Sequence, residues 1–464
     1  MTKILIIENR MASEVFNKLT KLLDSDHKVG WFIFNRIFYN KKYRSEYTYF
    51  ASHDSEFGPL DENSELNTLS RSFKYFGINI NYKYYKKQII KCLEDFQPDI
   101  VIGECTQFYE ILLIRECLSR GIIYLNPVPT RYPTNSVEFH LYDTDYPLKH
   151  KNQFPSHSEA DILKIIEQIG TRKITPTYVQ SYKSRKDSFL KLLYSNLSYY
   201  SLIFFSSLFV ESATTPNFLK KASLYFSTLY NYLRLRKFNL NEESKIRLKP
   251  YFLYAMQLQP ENNIDIMGVN FSNQSKLIDE LAKLLKCYSI NLIVKLNPIT
   301  KYQVNKDLVV ASMNNSNVFF VGGHTPIGGL MDSCLAVASV TGTIIIEAVS
   351  KKIPVFAFAK TRMAAETGAQ ILAKISDLAK YLRFQNVDCR FIEKYSLKTF
   401  LTNVSTTSYP GFIYNPVGDL HYSNNHINDH LLGSALLDLV ENFDFIYFDK
   451  HNNIGENVNP NNLE

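Results

Sequence analysis

The segment from Ala336 to Phe358 constrains the fold more than any other stretch, because it reads as strand, tight turn, helix and strand without interruption. Its first residues form a short apolar run typical of a buried strand, and a helical pattern begins soon after Gly342. Glycine permits the sharp turn, and the threonines on either side suit a helix N-terminus. Such a turn directs backbone N–H groups and the positive end of a helix dipole outward, which suits a phosphate. An ordinary βα connection explains the same pattern.

Short apolar runs alternate with helical patterns along much of the chain. The clearest runs are Lys3 to Ile7, Asp99 to Ile102, Tyr251 to Leu258, Asn291 to Lys295 and Asn317 to Val321. Continuous apolar strands separated by helices are typical of parallel sheets covered on both faces. We therefore predict an α/β fold with two Rossmann-like domains, whose parallel sheets face a central cleft.

The chain has 464 residues, and single hydrophobic cores stop growing near about 250 to 300 residues. We expect a first α/β domain over 1–157 and a second over 249–385, joined by a helical connector over 158–248 where strand patterns disappear. Helices in 386–451 are expected to pack back on the body. The polar, asparagine-rich tail over 452–464 is expected to be disordered.

Composition excludes several classes of protein. The net charge of +7 comes without a long basic block, which gives weak support for an anionic ligand and none for nucleic acid. Six scattered cysteines without a CxxC pair argue for a reducing compartment and against a zinc site or a disulfide framework. The N-terminal apolar run is too short for a signal peptide, so we expect a cytoplasmic protein, with the inner face of the inner membrane as a further location.

The connector is rich in aromatic and basic residues, chiefly in Phe189 to Val210 and Phe218 to Phe238. At helical spacing, such residues either form core with snorkelling lysines or rest on a membrane surface or a glycan. We favour core for most of them and leave peripheral membrane contact open. Serines interrupt the first stretch, so we do not expect it to cross a membrane.

Two candidate residues lie in the first half. Glu104 lies two residues after a predicted strand, at the end where ligands bind in doubly wound sheets. A helix N-terminal carboxylate stabilised by the dipole explains Glu104 equally well. Arg131 lies in the proline-rich stretch 126–133, which we predict to be a rigid loop, and can bind an acidic substrate bidentately or simply lie on the surface.

Polar residues recur in the second half where predicted strands end. Because parallel strands bring their carboxyl ends to one edge, we expect these side chains to converge on one crevice. Each has a simpler explanation taken alone, as a loop carboxylate, a solvated strand end, a turn residue or an exposed helix position. They are Gln259, Glu261, Lys295, Asn297, His324, Thr341, Gly342, Thr343 and Glu347.

Several motifs occur in an order that resembles a known family. They read YFLYAMQLQPE, VKLNP and SVTGTIIIEAVSKKIPVFAF in the second half, and PDIVIGECT and GIIYLNPVPTRYP in the first. Together they are similar to the capsule polysaccharide biosynthesis family of Gram-negative bacteria, which includes the retaining β-Kdo transferases. The resemblance covers most of residues 95 to 360 and implies a GT-B glycosyltransferase with its donor nucleotide mainly on the C-terminal domain. It also implies no metal and no cofactor apart from the nucleotide-sugar donor.

The resemblance also implies roles for individual residues. Glu261 falls on the catalytic acidic position and Glu104 on the acceptor-side acidic position. Lys295 and Asn297 fall on a motif that normally reads Lys-x-His-Pro, so Asn297 replaces a histidine and cannot carry a proton. A different sugar donor or an inactive copy explains that departure. The nucleotide-binding turn and helix match Thr341, Gly342, Thr343 and Glu347.

Our principal hypothesis is a transferase that moves Kdo from CMP-β-Kdo onto a glycan or glycolipid of a capsule or lipopolysaccharide. Glu261 or nearby Asp265 would stabilise the oxocarbenium-like transition state or form a glycosyl adduct. Lys295 and the turn at Gly342 would ease departure of the phosphate. The expected substrate-binding residues are Gln259, Arg131 and His324. A UDP-sugar or another CMP-activated acidic sugar is the alternative donor, and a non-catalytic glycan-binding or scaffold subunit is the alternative from another class.

Overall fold

The computed structural model of the chain describes most of its length. The described residues are 1–8, 12–23, 25–34, 43–51, 66–149, 154, 156–176, 218–239, 250–298, 303–382, 397–413 and 426–442. All structural statements below concern these residues.

The first unit is built on a seven-stranded sheet. Its strands are β1 (Lys3–Ile7), β2 (Lys28–Ile33), β3 (Tyr47–Phe50), β4 (Ile100–Ile102), β5 (Ile123–Pro129), β6 (Ser136–Leu141) and β13 (Tyr409–Pro410). They lie in the order β13-β6-β5-β4-β1-β2-β3. The five strands from β5 to β3 pair in parallel, whereas β6 and β13 add antiparallel pairings at one edge. The central strands β1 and β4 are buried apolar runs, as expected for strands covered on both faces.

Five described helices belong to the first unit: α1 (Ala12–Leu19), α2 (Leu66–Leu69), α3 (Arg71–Phe76), α4 (Tyr82–Phe96) and α5 (Phe108–Ser119). Local chemistry sets their ends. The Asn81 side chain accepts the Tyr84 backbone N–H at the start of α4, and Gln97 ends that helix in the left-handed conformation. The Glu110 carboxylate caps α5 by accepting the backbone N–H of Gln107 at 2.8 Å.

The second unit is built on a six-stranded sheet. Its strands are β7 (Tyr251–Ala255), β8 (Asn291–Lys295), β9 (Val318–Val321), β10 (Ala336–Ser339), β11 (Val355–Ala357) and β12 (Gln370–Ile371). They lie in the order β12-β11-β10-β7-β8-β9, and every pairing is parallel. The order reverses direction at β7, as in a Rossmann-type sheet, so the loops after β7 and β10 lie beside each other.

The remaining described helices follow the first unit in the chain. They are α6 (Glu159–Gly170), α7 (Phe218–Asn239), α8 (Asn262–Asp265), α9 (Gln274–Lys286), α10 (Lys306–Asn314), α11 (Ile327–Met331), α12 (Ile344–Ser350), α13 (Arg362–Thr367), α14 (Ala379–Leu382), α15 (Leu397–Thr407) and α16 (His426–Glu441). Both described helices of the predicted connector pack on the second unit: α6 contacts α12 and α15, and α7 contacts α10 and β9.

The last helix returns to the first unit. Leu432, Leu436 and Leu439 of α16 are buried in the same hydrophobic cluster as the strands of the first sheet. Asp429 on this helix lies 3.4 Å from the Lys18 ammonium of α1. The chain therefore passes from the first unit to the second and then back to the first.

A buried ion pair also joins the units. The Arg362 guanidinium at the start of α13 donates to Glu138 on β6 at 2.9 Å, and the Thr407 hydroxyl donates to the same carboxylate oxygen. Burial acts to raise the pKa of Glu138, but His140, Arg362 and Thr407 together lower it to about 2. The Arg362 backbone N–H donates to Asp145, which adds a second link between the units.

The predicted architecture is confirmed: the protein has a GT-B-like α/β fold with two Rossmann-like units built on parallel sheets. One prediction about the first half is wrong. Residues 126–129, predicted as a rigid loop, continue β5 and pair with β6. Their prolines occupy alternate positions, 127 and 129. Because N–H directions alternate along a strand, the backbone nitrogens of both prolines can point away from β6, where no hydrogen bond to that strand is lost.

Another strand of the first sheet lies within residues 38–70, a stretch rich in polar and aromatic residues. Residues 47–50 of this region form the edge strand β3, paired in parallel with β2. The Tyr47 ring stacks on Phe96 at 4.9 Å, and the Tyr49 ring meets Phe32 edge-on at 5.4 Å. Aromatic residues favour strands for this reason: they pack well on a half-buried pleated surface.

Some expectations fall on residues that the structure does not describe, including the apolar stretch 189–210 and the tail 452–464. Among the described helices, none combines the length and apolar character required to cross a bilayer.

Candidate functional site

The carboxyl ends of β7, β8, β9 and β10 lie along one edge of the second sheet, because all four strands run in parallel. The sequence places polar residues after each of them. The structure joins those residues into two groups: an amide network around the end of β7, and a charged cluster around the end of β8.

The amide network begins with Gln257 and Gln274, both buried. The Gln274 side chain accepts the Gln257 backbone N–H and donates to the Gln257 carbonyl, each at 2.9 Å. Its amide also donates to the Gln259 side chain at 3.0 Å. Since each buried amide has partners, the network fixes the path of the chain after β7.

The same network holds the turn between β10 and α12. The Gln257 amide donates to the Thr341 hydroxyl at 2.7 Å and accepts the Thr341 backbone N–H at 3.0 Å. The Thr341 hydroxyl in turn donates to the Asn263 carbonyl at 3.0 Å. The Gly342 N–H donates to the Ser339 hydroxyl at 3.0 Å. The turn predicted to bind phosphate thus uses the Thr341 hydroxyl and the Gly342 amide to hold its own conformation.

Gly342 is required by a close approach. A Cβ at this position would lie 2.8 Å from the Ser339 hydroxyl oxygen and 3.5 Å from the Gln257 amide carbon. Any larger residue would push apart the turn and the amide that holds it. Thr343, the third predicted residue of the turn, is half-buried and precedes α12 without capping it through its side chain.

The charged cluster contains Lys295, Arg172 and Glu347. Lys295 ends β8 and is 8% exposed, and its ammonium donates to the Gly323 carbonyl at 2.7 Å. Arg172 follows α6, and its guanidinium lies 2.8 Å from the Glu347 carboxylate on α12. Two cations and one carboxylate therefore meet at the edge of the sheet.

The electrostatics of Lys295 reflect this arrangement. Burial lowers the pKa of its ammonium from 10.5, the charge of Arg172 lowers it further, and Glu347 raises it in part, giving about 8. Burial and the Arg172 charge therefore disfavour the protonated form of Lys295 more than the Glu347 carboxylate favours it. Groups with perturbed pKa values occur often at functional sites, which makes Lys295 a candidate site residue.

Arg172 was missed by the sequence analysis. It is a non-glycine residue with a φ of 56°, a left-handed conformation that such residues rarely adopt. The conformation turns the chain directly after α6, and the packing of α6 on α12 brings the guanidinium to Glu347. No sequence pattern marks this position, since Arg172 lies about 120 residues before the lysine that it accompanies.

Asn297 and His324 lie on neighbouring loops. The Asn297 amide is 3.4 Å from the Met256 carbonyl, and the Asn297 backbone packs against Gly323. A Cβ on Gly323 would lie 2.6 Å from the Asn297 carbonyl oxygen and 2.7 Å from the Pro298 Cα. His324 is exposed on the same turn.

Glu261 and Asp265 have different environments. Asp265 is buried and accepts the Lys74 ammonium at 2.8 Å, the Tyr75 hydroxyl at 2.7 Å and the Gln259 amide at 3.0 Å on one oxygen. Its other oxygen accepts the Glu261 backbone N–H at 3.1 Å. Asp265 therefore links the second unit to α3 of the first and fixes the backbone beside Glu261, which is half-buried.

Glu104 and Arg131 lie in the first unit, each after a strand. The Glu104 carboxylate is half-buried and accepts the Thr106 hydroxyl at 3.1 Å. The Tyr124 hydroxyl donates to the Glu104 backbone carbonyl at 2.5 Å and contacts the place where a Cβ on Gly103 would be. The helix-capping role considered for Glu104 belongs instead to Glu110, whose carboxylate binds the N–H groups at the start of α5. Arg131 is half-buried beyond the end of β5.

Within the described residues, no three His, Cys, Asp or Glu side chains gather closely enough to hold a metal ion.

Comparisons with known proteins give fold-level likeness alone. No protein-family model matches the chain, and no curated protein matches it. Solved structures do match over most of its length. The UDP-GlcNAc 2-epimerase from Neisseria meningitidis bound to UDP-GlcNAc is 14% identical, and the match covers 87% of this chain and 97% of that chain with a TM-score of 0.29.

Two further structures match in the same way. Anabaena HepE in complex with UDP and glucose is 12% identical, over 95% of this chain and 100% of that chain, with a TM-score of 0.27. An E. coli structure described as trehalose-6-phosphate bound with UDP-2-fluoro glucose is 10% identical, over 95% and 99% of the two chains, with a TM-score of 0.36. At these identities and scores, the assignment of the fold rests on the strand order of this chain. The specific resemblance to the capsule family stays a prediction.

Proposed function

We propose that the protein is a nucleotide-sugar-dependent glycosyltransferase in which Lys295 and Arg172 bind the phosphates of the donor. One observation carries the proposal: two cations and a single carboxylate lie together at the carboxyl edge of a Rossmann-type sheet. This edge is where ligands bind in such sheets. A phosphate beside Lys295 would supply the negative charge that the buried ammonium needs.

The two cations favour a diphosphate over a monophosphate. A guanidinium can bind one phosphate group bidentately, while an ammonium acts as a point charge on a second. Glu347 orients the guanidinium through the ion pair at 2.8 Å. We therefore propose a UDP-sugar as donor and place CMP-β-Kdo, which has one phosphate, second. The role of Glu347 toward the nucleoside, implied by the resemblance, stays a prediction.

The chemistry is assigned to carboxylates outside the phosphate site. In sugar transfer the bond between the anomeric carbon and the phosphate oxygen breaks, and its electron pair leaves with the nucleotide. Glu261 is proposed to stabilise the positive charge that develops at this carbon. Glu104 is proposed to take the proton of the acceptor hydroxyl while the hydroxyl oxygen forms a bond to the anomeric carbon.

Asp265 is proposed as a positioning residue, because its oxygens already bind Lys74, Tyr75, Gln259 and the Glu261 backbone. Thr341 and Gly342 are likewise proposed to hold the turn. The substrate roles predicted for Gln259, Arg131, His324 and Asn297 stay predictions.

Calorimetric titration with UDP and with CMP tests the phosphate site. The substitutions Lys295→Met and Arg172→Met should each weaken UDP binding about tenfold to a hundredfold, since hydrogen bonds to charged groups contribute roughly 1.5 to 3 kcal/mol. Lys283→Met is the matched control, because Lys283 is an exposed lysine paired with Asp279 on α9. Unchanged UDP affinity in both site variants would refute the phosphate assignment.

Nucleotide release from a panel of UDP- and CMP-sugars tests the activity. Release from UDP-sugars alone supports the proposed donor, and release from CMP-β-Kdo alone supports the second. If the wild type releases nucleotide from any of these sugars, Glu261→Gln should abolish that release while leaving nucleotide affinity largely intact. Nucleotide binding without turnover of any sugar would instead indicate a binding subunit.

A further inference from the structure

The side of helix α7 that packs on the second unit contains buried polar side chains. Thr228, Asn231 and Leu235 are buried at 7%, 4% and 0% exposure, and they follow the helical spacing of three and four residues. Helix α7 contacts α10 and β9. Leu235 belongs to the hydrophobic cluster of the second unit, and the half-buried Tyr232 packs against that cluster. Among the described side chains of α7, two of the three buried ones are polar.

The opposite side of α7 is apolar and exposed. Leu219, Phe226, Tyr230 and Leu233 are 72%, 65%, 63% and 52% exposed. Their spacing of seven, four and three residues places all four on one face of the helix. A helix on the surface of a globular protein normally buries its apolar face, whereas this apolar face of α7 is exposed.

The exposed apolar surface extends to the neighbouring helix. Val310 and Met313 of α10 are 41% and 56% exposed, and the Arg234 guanidinium of α7 reaches the Met313 sulfur at 3.8 Å. Eight of the thirteen large hydrophobic side chains found exposed among the described residues lie on these two helices. We call this continuous surface the α7–α10 face. Apolar patches that are concentrated in this way mark interaction sites.

The charge of α7 restricts what can cover this face. The helix contains five basic residues and no Asp or Glu: Lys220, Lys221, Arg234, Arg236 and Lys237. A second copy of the protein, paired through α7, would bring two such helices together and place like charges side by side. The preceding segment 177–217 is also net positive, with four basic and two acidic residues. Neither a second copy nor the segment 177–217 would therefore complement the positive charge of α7 if it covered this face.

We propose that the α7–α10 face docks the protein on an anionic lipid bilayer, with α7 lying in the plane of the headgroups. An interfacial helix of this kind inserts an apolar face into the boundary between headgroups and acyl chains, while its basic residues contact anionic lipids. Tyr225 and Tyr230, at 63% exposure each, suit this boundary because their rings are apolar and their hydroxyls polar. The docking does not depend on the proposed glycosyltransferase activity.

Vesicle flotation of the full-length protein tests the docking. The protein should float with vesicles of equal phosphatidylglycerol and phosphatidylcholine and remain at the bottom with phosphatidylcholine alone. The triple variant Leu219→Gln, Phe226→Gln, Leu233→Gln should reduce the floated fraction at least about tenfold, since three exposed apolar anchors are lost. Its thermal unfolding midpoint should stay close to that of the wild type, because the three side chains are exposed.

Leu163→Gln is the matched control, since Leu163 is 51% exposed on α6 and lies outside the α7–α10 face. This variant should float like the wild type. Failure of the wild-type protein to float with anionic vesicles would overturn the proposal, as would full flotation of the triple variant. Light scattering could instead show that the wild type is a dimer, that the triple variant is a monomer and that neither floats. That result would mean that a second copy covers the face, and it would also overturn the proposal.

Discussion

Lys295 shows how one residue can report on a site. Its ammonium is buried beside a second cation, and the Glu347 carboxylate compensates for only part of that charge. Because the folded pKa lies below the unfolded value, protonated Lys295 destabilises the folded protein, and stability rises as pH rises between about 8 and 10.5. A bound phosphate would reverse this trend by favouring the protonated form.

Nucleotide affinity should therefore depend on pH through Lys295. If the ligand binds the protonated form, UDP affinity should fall about tenfold from pH 7 to pH 9, as the free lysine with a pKa of about 8 loses its proton. Calorimetric titrations at several pH values measure this directly. Lys295→Met should bind UDP weakly with little dependence on pH, and a pH profile in this variant as steep as that of the wild type would contradict the assignment.

Other residues that were predicted for their chemistry make structural contacts within the fold. The sequence presents Asp265 as a carboxylate near Glu261 and Thr341 as a hydroxyl beside a glycine. The structure shows Asp265 bound to Lys74, far away in sequence, and Thr341 bound to Gln257. Residue type and spacing cannot distinguish a reactive group from one already bound, because the partners come from distant parts of the chain.

At the scale of elements, the loops after β8 and β9 depend on each other. The Gly323 carbonyl accepts the Lys295 ammonium, and the absence of a Cβ on Gly323 lets its backbone pack directly on Asn297 and Pro298. The surrounding atoms are backbone, so they cannot move aside as the end of a flexible side chain can. The position of Lys295 therefore depends on a glycine in the neighbouring loop.

Gly323→Ala should destabilise the protein by about 1 to 3 kcal/mol, as expected for overpacking, and should also weaken UDP binding by displacing the carbonyl. Gly329→Ala is the matched control. Gly329 lies in α11 with nothing within 4 Å of the added Cβ, so alanine should be neutral or stabilise by up to about 1 kcal/mol. Urea unfolding measures both effects, and equal free energies of unfolding for the two variants would contradict the packing argument.

At the scale of the whole molecule, buried polar contacts join the two units. Asp265 of the second unit binds Lys74 and Tyr75 of α3, and Arg362 of the second unit binds Glu138 of β6. Each of these two carboxylates accepts several donors. Removing a cation or a carboxylate from such a contact leaves its partner with a buried charge that is not fully compensated. These contacts fix the position of the loop carrying Glu261 relative to the first unit.

A double-mutant cycle with Lys74→Met and Asp265→Asn should reveal this coupling. The interaction free energy should be about 1 to 3 kcal/mol, because the Asp265 side chain is 1% exposed. The exposed pair Lys276 and Glu280 should give less than about 0.5 kcal/mol in the same experiment. Equal coupling in the two cycles, measured by urea unfolding, would show that the contact does not join the units in solution.

Local sequence patterns were enough to predict most of the elements and the architecture. Apolar runs such as Lys3 to Ile7 and the strand–turn–helix–strand pattern from Ala336 to Phe358 predicted parallel sheets, because strand and helix periodicity are local properties of the chain. The same reasoning placed Lys295 and Glu347 at one edge. The contacts of the site depend on long-range packing that no local pattern encodes. Arg172 reaches Glu347 only through the packing of α6 on α12, and Asp265 binds Lys74 of α3. Likewise, only the packing of α7 shows that an apolar face of this helix is exposed, since a helical pattern does not say which face meets the core.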